Sequence, residues 1–75
     1  MNKERRKKLE KVIEKLEAAK YELEDLKSEE EDYRDNMPEN LQGSEKYERA
    51  EETCDCMESA YSSIEEAIDS ISEAI

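Results

Sequence analysis

The residues able to do chemistry in this chain are unevenly supplied. Its 75 residues hold 23 acids, 12 bases, two cysteines and no histidine. Without histidine there is no imidazole base and no imidazole metal ligand. The cysteines form a single Cys54-Asp55-Cys56. On a helix two residues at that spacing diverge by about 200°. No disulfide between them is expected, nor one metal ion held by both from one rigid helix. Ser62 and Ser63 have no base partner, and there is no Gly-rich phosphate loop. The carboxylates are abundant, but no apolar pocket is written around them that would raise a pKa for acid–base work. The stretch from Asp32 to Pro38 lacks the alternating acids, central glycine and terminal glutamate of a calcium loop. These residues point away from an enzyme and toward no cofactor and no metal.

What remains is charge, and it is polarised. Residues 22–58 hold 15 acids and 4 bases, net −11, whereas residues 1–21 and 59–75 together hold 8 of each, net zero. The acidic candidates for a partner-binding surface are Glu29, Glu30, Glu31, Asp32 and Asp35, with Glu45, Glu48, Glu51, Glu52 and Asp55. Concentrated like charge costs stability. It either keeps a small bundle dispersed in water or imitates the phosphates of nucleic acid toward a basic partner surface. The basic run Lys3, Arg5, Arg6, Lys7 and Lys8 offers the opposite alternative, direct nucleic-acid binding. Its more ordinary role is to lie beside Glu65, Glu66, Asp69 and Glu73 of a neighbouring helix.

These groups must be positioned by helices. The one proline and one glycine, Pro38 and Gly43, fall in the same short stretch, and two long breaker-free segments rich in Glu, Lys, Leu and Ala flank it. The spacing predicts helix 1 over about 3–36, a connection over 37–43, and helix 2 over about 44–75, with Ser44 as a helix-starting residue. Apolar residues recur with a heptad period. In helix 1 the a positions are Leu9, Leu16, Leu23, Glu30 and Met37, and the d positions are Val12, Ala19, Leu26 and Tyr33. In helix 2 they are Tyr47, Cys54, Tyr61, Ile68 and Ile75 at a, with Ala50, Met57, Ile64 and Ile71 at d. The expected fold is all-α, a single helical hairpin over 1–75 whose two long antiparallel helices share a coiled-coil-like seam.

Folding the chain about residue 40 sets the register. Leu9 then faces Ile71, Val12 faces Ile68, Leu16 faces Ile64, Ala19 faces Tyr61, Leu23 faces Met57, Leu26 faces Cys54 and Tyr33 faces Tyr47. Lys20 would lie near Glu58 and Lys27 near Glu51. One seam is a thin core for 75 residues. Thr53, Ala60, Ala67 and Ala74 form a row of small residues at g on helix 2, and Ile13 sits at e on helix 1. These are the expected self-association residues, through which two hairpins would make a homodimeric four-helix bundle.

No run approaches the roughly 18 apolar residues of a membrane span, and no apolar stretch follows the basic start as in a signal peptide, so the cytoplasm is the default location. The segment DNMPENLQGSE, Asp35 to Glu45, followed by an acidic helix ending in IEEAIDSISEAI, resembles short helical proteins of Gram-positive bacteria, their phages and mobile elements. The similarity extends over most of the chain from ERRKKLEK onward. That group has no established activity and brings no catalytic residues. The resemblance implies a mobile-element context, in which small acidic proteins block host machinery that binds nucleic acid. The expected function is therefore a non-enzymatic protein-interaction module, an acidic modulator of such a host protein. The alternatives are a self-associating scaffold with no further partner and nucleic-acid binding through the basic run.

Overall fold

A computed structural model describes all residues 1–75 and contains no strand. Two helices, α1 (Lys3–Asp35) and α2 (Glu45–Ala74), are joined by a connection that includes one 3-10 turn, Glu39–Leu41. Each long helix begins on a residue that satisfies an otherwise orphaned amide. Asn2 is extended, and its side-chain oxygen accepts the Arg5 N–H at 2.7 Å. Ser44 is extended too and accepts the Tyr47 N–H at 3.4 Å. Caps of this kind contribute about 1 kcal/mol each. The Asn2 cap, an Asn just before the basic run, is readable in the sequence once the helix start is known.

α1 ends where Asn36 turns its side-chain amide onto the Asp32 carbonyl at 2.7 Å. Pro38 follows with ψ of 148° and no N–H to give, so the helix cannot resume. Ser44 fastens the other end of the connection, because both its N–H and its hydroxyl donate to the Leu41 carbonyl. Gly43 does not use the conformational freedom of glycine. Its φ is not positive, and a methyl group added there would meet nothing within 4 Å. Gly43→Ala is expected to raise stability by about 0.4–1 kcal/mol, mainly by restricting the unfolded chain, seen as a higher urea midpoint with unchanged slope.

The two helices pack side by side, antiparallel, as a single layer of 60 × 15 × 12 Å. The radius of gyration is 17.3 Å, against about 11 Å for a compact domain of this length. Little is enclosed as a result. Only Met37, Ala50 and Cys54 are buried, and all three lie toward the connection.

On α2 the heptad reading holds: Tyr47, Ala50, Cys54, Met57, Tyr61, Ile64, Ile68, Ile71 and Ile75 are all buried or half-buried. On α1 the seam is corrected. The a positions Leu9, Leu16, Leu23 and Glu30 are half-buried as expected, but they are joined by the e positions Ile13, Lys20, Lys27 and Arg34 rather than by d. Val12, Ala19, Leu26 and Tyr33 stay exposed, Leu26 and Tyr33 at 52% each.

The expected partners shift with this rotation. Lys27 reaches Glu58 at 3.9 Å, one heptad beyond Glu51. Lys20 lies over the Tyr61 ring at 5.4 Å instead of beside Glu58. Arg34, Glu31 and Glu30 of α1 are the charged groups that act on Cys54. The physical reason is the length of the basic side chains. Their aliphatic stems cover the seam while their charged ends reach an aromatic face or a carboxylate at its rim.

Candidate interaction surfaces

The acidic candidates come together at the connection end. Glu29, Asp32 and Asp35 on α1 and Glu45, Glu48, Glu51, Glu52 and Asp55 on α2 are exposed, while Glu30 and Glu31 are half-buried. All four ion pairs of the molecule lie in this half: Lys27 with Glu31 and with Glu58, Arg34 with Asp35, and Arg49 with Glu45. The Arg34–Asp35 pair is the short one, at 3.0 Å, and its hydrogen bond holds the guanidinium protonated more firmly than usual. Seven of the ten acidic candidates make no ion pair: Glu29, Glu30, Asp32, Glu48, Glu51, Glu52 and Asp55. Exposed pairs contribute only about 0–1 kcal/mol, so the four present leave most of the repulsion uncompensated.

At the other end the basic run makes no ion pair with Glu65, Glu66, Asp69 or Glu73. The charge of Lys3, Arg5, Arg6, Lys7 and Lys8 remains in solvent.

Each side of the seam carries a shallow open groove, and both grooves share Leu23 and Met57. One, of about 260 Å³, is completed by Glu24 and Lys27 on α1 and by Glu58, Tyr61, Ser62 and Glu65 on α2. The other, of about 370 Å³, is completed by Arg49, Glu52, Thr53, Cys56 and Ala60 of α2. The small-residue row begins at this second groove. Along the row Thr53 and Ala67 are half-buried, Ala60 and Ala74 are exposed, and the Thr53 hydroxyl donates to the Arg49 carbonyl at 2.8 Å. Ile13 lies within the seam, in line with Leu9 and Leu16.

Both thiols are free, Cys54 buried and Cys56 exposed. Burial pushes the Cys54 thiol up, reinforced by Glu31, Glu30 and Asp55 and opposed by Arg34. A thiol that is both protonated and covered reacts slowly. A maleimide should therefore label one cysteine per native chain quickly, Cys56, and the second at a rate limited by opening of the hairpin. Equal labelling of the two would contradict the packing. Because the Cys54 pKa is raised in the fold, the stability it contributes is present below the ordinary thiol range. It is lost as pH rises from there through the folded value.

No group of three or more thiol or carboxylate side chains converges to hold a metal ion, and no helix is long and apolar enough to cross a membrane. The chain is thus an open two-helix hairpin with an acidic connection end and an exposed apolar row on α1. Among known proteins, no family model, no curated sequence and no solved structure matches it.

Proposed function

We propose that this protein is a non-enzymatic protein-interaction module. In this reading its hairpin is completed by dimerisation into a four-helix bundle, and its acidic connection end addresses a basic surface on a nucleic-acid-binding protein. The observation that carries the reading is the set of exposed, unpaired carboxylates on both helices at one end. They spread negative charge over a rigid surface at helical spacing, as a duplex spreads its phosphates.

The resemblance to short proteins of phages and mobile elements supports the same reading, in which the chain competes with nucleic acid for a host protein. The thin enclosed core, three residues in 75, supports completion by association. The test is competition: a basic nucleic-acid-binding protein of the same host is loaded with labelled duplex DNA and titrated with the chain at rising salt. Release of DNA at low salt that weakens as salt rises is expected. Binding of the chain itself to DNA would favour the basic run instead. Dimerisation with no release of DNA would leave a self-associating scaffold.

A further inference from the structure

The hairpin turns the less apolar of two available stripes inward. Facing α2, α1 presents Lys20, Lys27 and Arg34 beside its leucines, and it leaves Val12, Ala19, Leu26 and Tyr33 outside. A helix that serves a two-helix seam needs a and d alone, whereas a helix in a four-helix bundle carries an apolar arc over a, d and e. On α1 the seam is served by a and e, with Lys20, Lys27 and Arg34 at e, so the apolar d row is left exposed.

The position of that row is fixed by helix geometry. Positions d and e lie on opposite sides of a. The e residues Lys20 and Lys27 meet Tyr61 and Glu58 on one flank of the seam. The d row therefore borders the other flank, the one lined by Thr53, Cys56 and Ala60.

Charge then decides what covers this face and in which direction. On α1, residues 3–15 hold seven bases and three acids, net +4, and residues 22–35 hold eight acids and two bases, net −6. A second α1 laid antiparallel sets each basic half against an acidic half. A parallel one would set like against like, and would also stack two connection ends of net −11. The apolar row is self-complementary in the antiparallel sense. About a dyad between residues 22 and 23, Val12 falls opposite Tyr33 and Ala19 opposite Leu26, small against large in both layers. The broad face of the whole hairpin, the α1 row together with the neighbouring α2 small-residue row, spans 60 × 15 Å, on the order of 900 Å², close to the roughly 800 Å² each partner contributes to a stable interface.

Resting on the association proposed above, we infer that the occupant of the α1 face is a second copy of this chain. The copy packs α1 on α1, antiparallel, with the two connections at opposite ends of the bundle. In this register Lys8 and Lys11 of one copy lie within a helical turn of Asp35 of the other, and Lys15 within a turn of Glu29 and Asp32, while Lys3 to Lys7 lie over its connection.

The full chain is examined by sedimentation and by distance measurement between spin labels. Labels are placed at Glu24→Cys or Lys7→Cys in a Cys54→Ala, Cys56→Ser background whose helicity matches the parent. A dimer is expected, with Glu24 labels less than about 25 Å apart and Lys7 labels roughly 45 Å apart, at 1.5 Å per residue on each side of the dyad. Leu26→Glu is expected to weaken the dimer at least about tenfold, a loss of ~1.4 kcal/mol, with helicity kept at high concentration. Ala19→Glu repeats the test at a side chain too small to hold the hairpin itself.

Short distances at both labelled sites would overturn the antiparallel arrangement. A dimer indifferent to Leu26→Glu and Ala19→Glu would overturn the face while leaving association standing. A fully helical monomer at high concentration would overturn both.

Discussion

Ala50→Asp is expected to unfold the hairpin. Ala50 is the most enclosed residue of the chain, 2% exposed, on the α2 face that meets α1. The substitution places a carboxylate there, and the base closest on α1, Arg34, is already engaged by Asp35 at 3.0 Å. The nearest stretch of α1 already contributes half-buried Glu30 and Glu31. A buried charge without a partner costs several kcal/mol, and a chain of this size has a total stability on the order of 5 kcal/mol. Loss of most helical circular dichroism at neutral pH is the expected result. Ala50→Ser should lose only a fraction of that stability, since its hydroxyl is able to return to a backbone carbonyl one turn back. If Ala50→Asp melts like the parent, the packing at the connection end is not what holds the two helices together.

Joint replacement of Glu48, Glu51 and Glu52 by Lys should have the opposite effect on stability and a large effect on binding. The three side chains are exposed and form no ion pair. Removing their mutual repulsion and that with Glu29, Asp32 and Asp35 should raise the melting temperature at low salt. The gain should shrink as salt screens charges over a Debye length of about 10 Å at 0.1 M. Binding to a basic protein surface should be lost, chiefly through a slower association rate. Lys replacement of Glu65 and Glu66, at the far end of α2, should leave that binding in place. If both replacements affect a partner equally, net charge alone is being sensed. If neither does, the acidic end serves only to keep the protein dispersed.

Much of this architecture was legible in the sequence, and the part that was not has a definite cause. Pro38 and Ser44 marked the connection, and the nine a and d residues of α2 lie where the heptad puts them. α1 was ambiguous because it carries two stripes of identical period that share Leu9, Leu16 and Leu23. The completing residues are Val12, Ala19, Leu26 and Tyr33 in one stripe, and Ile13, Lys20, Lys27 and Arg34 in the other. Counting apolar side chains favours the first. Counting methylene stems, with Tyr61 and Glu58 available to receive the charged ends, makes the second a workable seam. Hydropathy assigns a lysine wholly to water, so it misses a residue that packs along its stem and is solvated only at its tip. The gathering of the acids of α1 and α2 at the connection end was readable as well, because folding the chain at Pro38 leaves them no other place.

The three enclosed residues sit beside the turn, and from there toward the free ends of the helices the seam contains only half-covered side chains. Local opening begins where least is covered. The hairpin therefore behaves as a zipper with a fixed stop. Thermal fluctuations part the tips first and travel toward Cys54 and Ala50, and reclosure starts from a clasp that never had to be found again. A chain built this way loses order by length, a turn of helix at a time, while its two strands of helix remain in register.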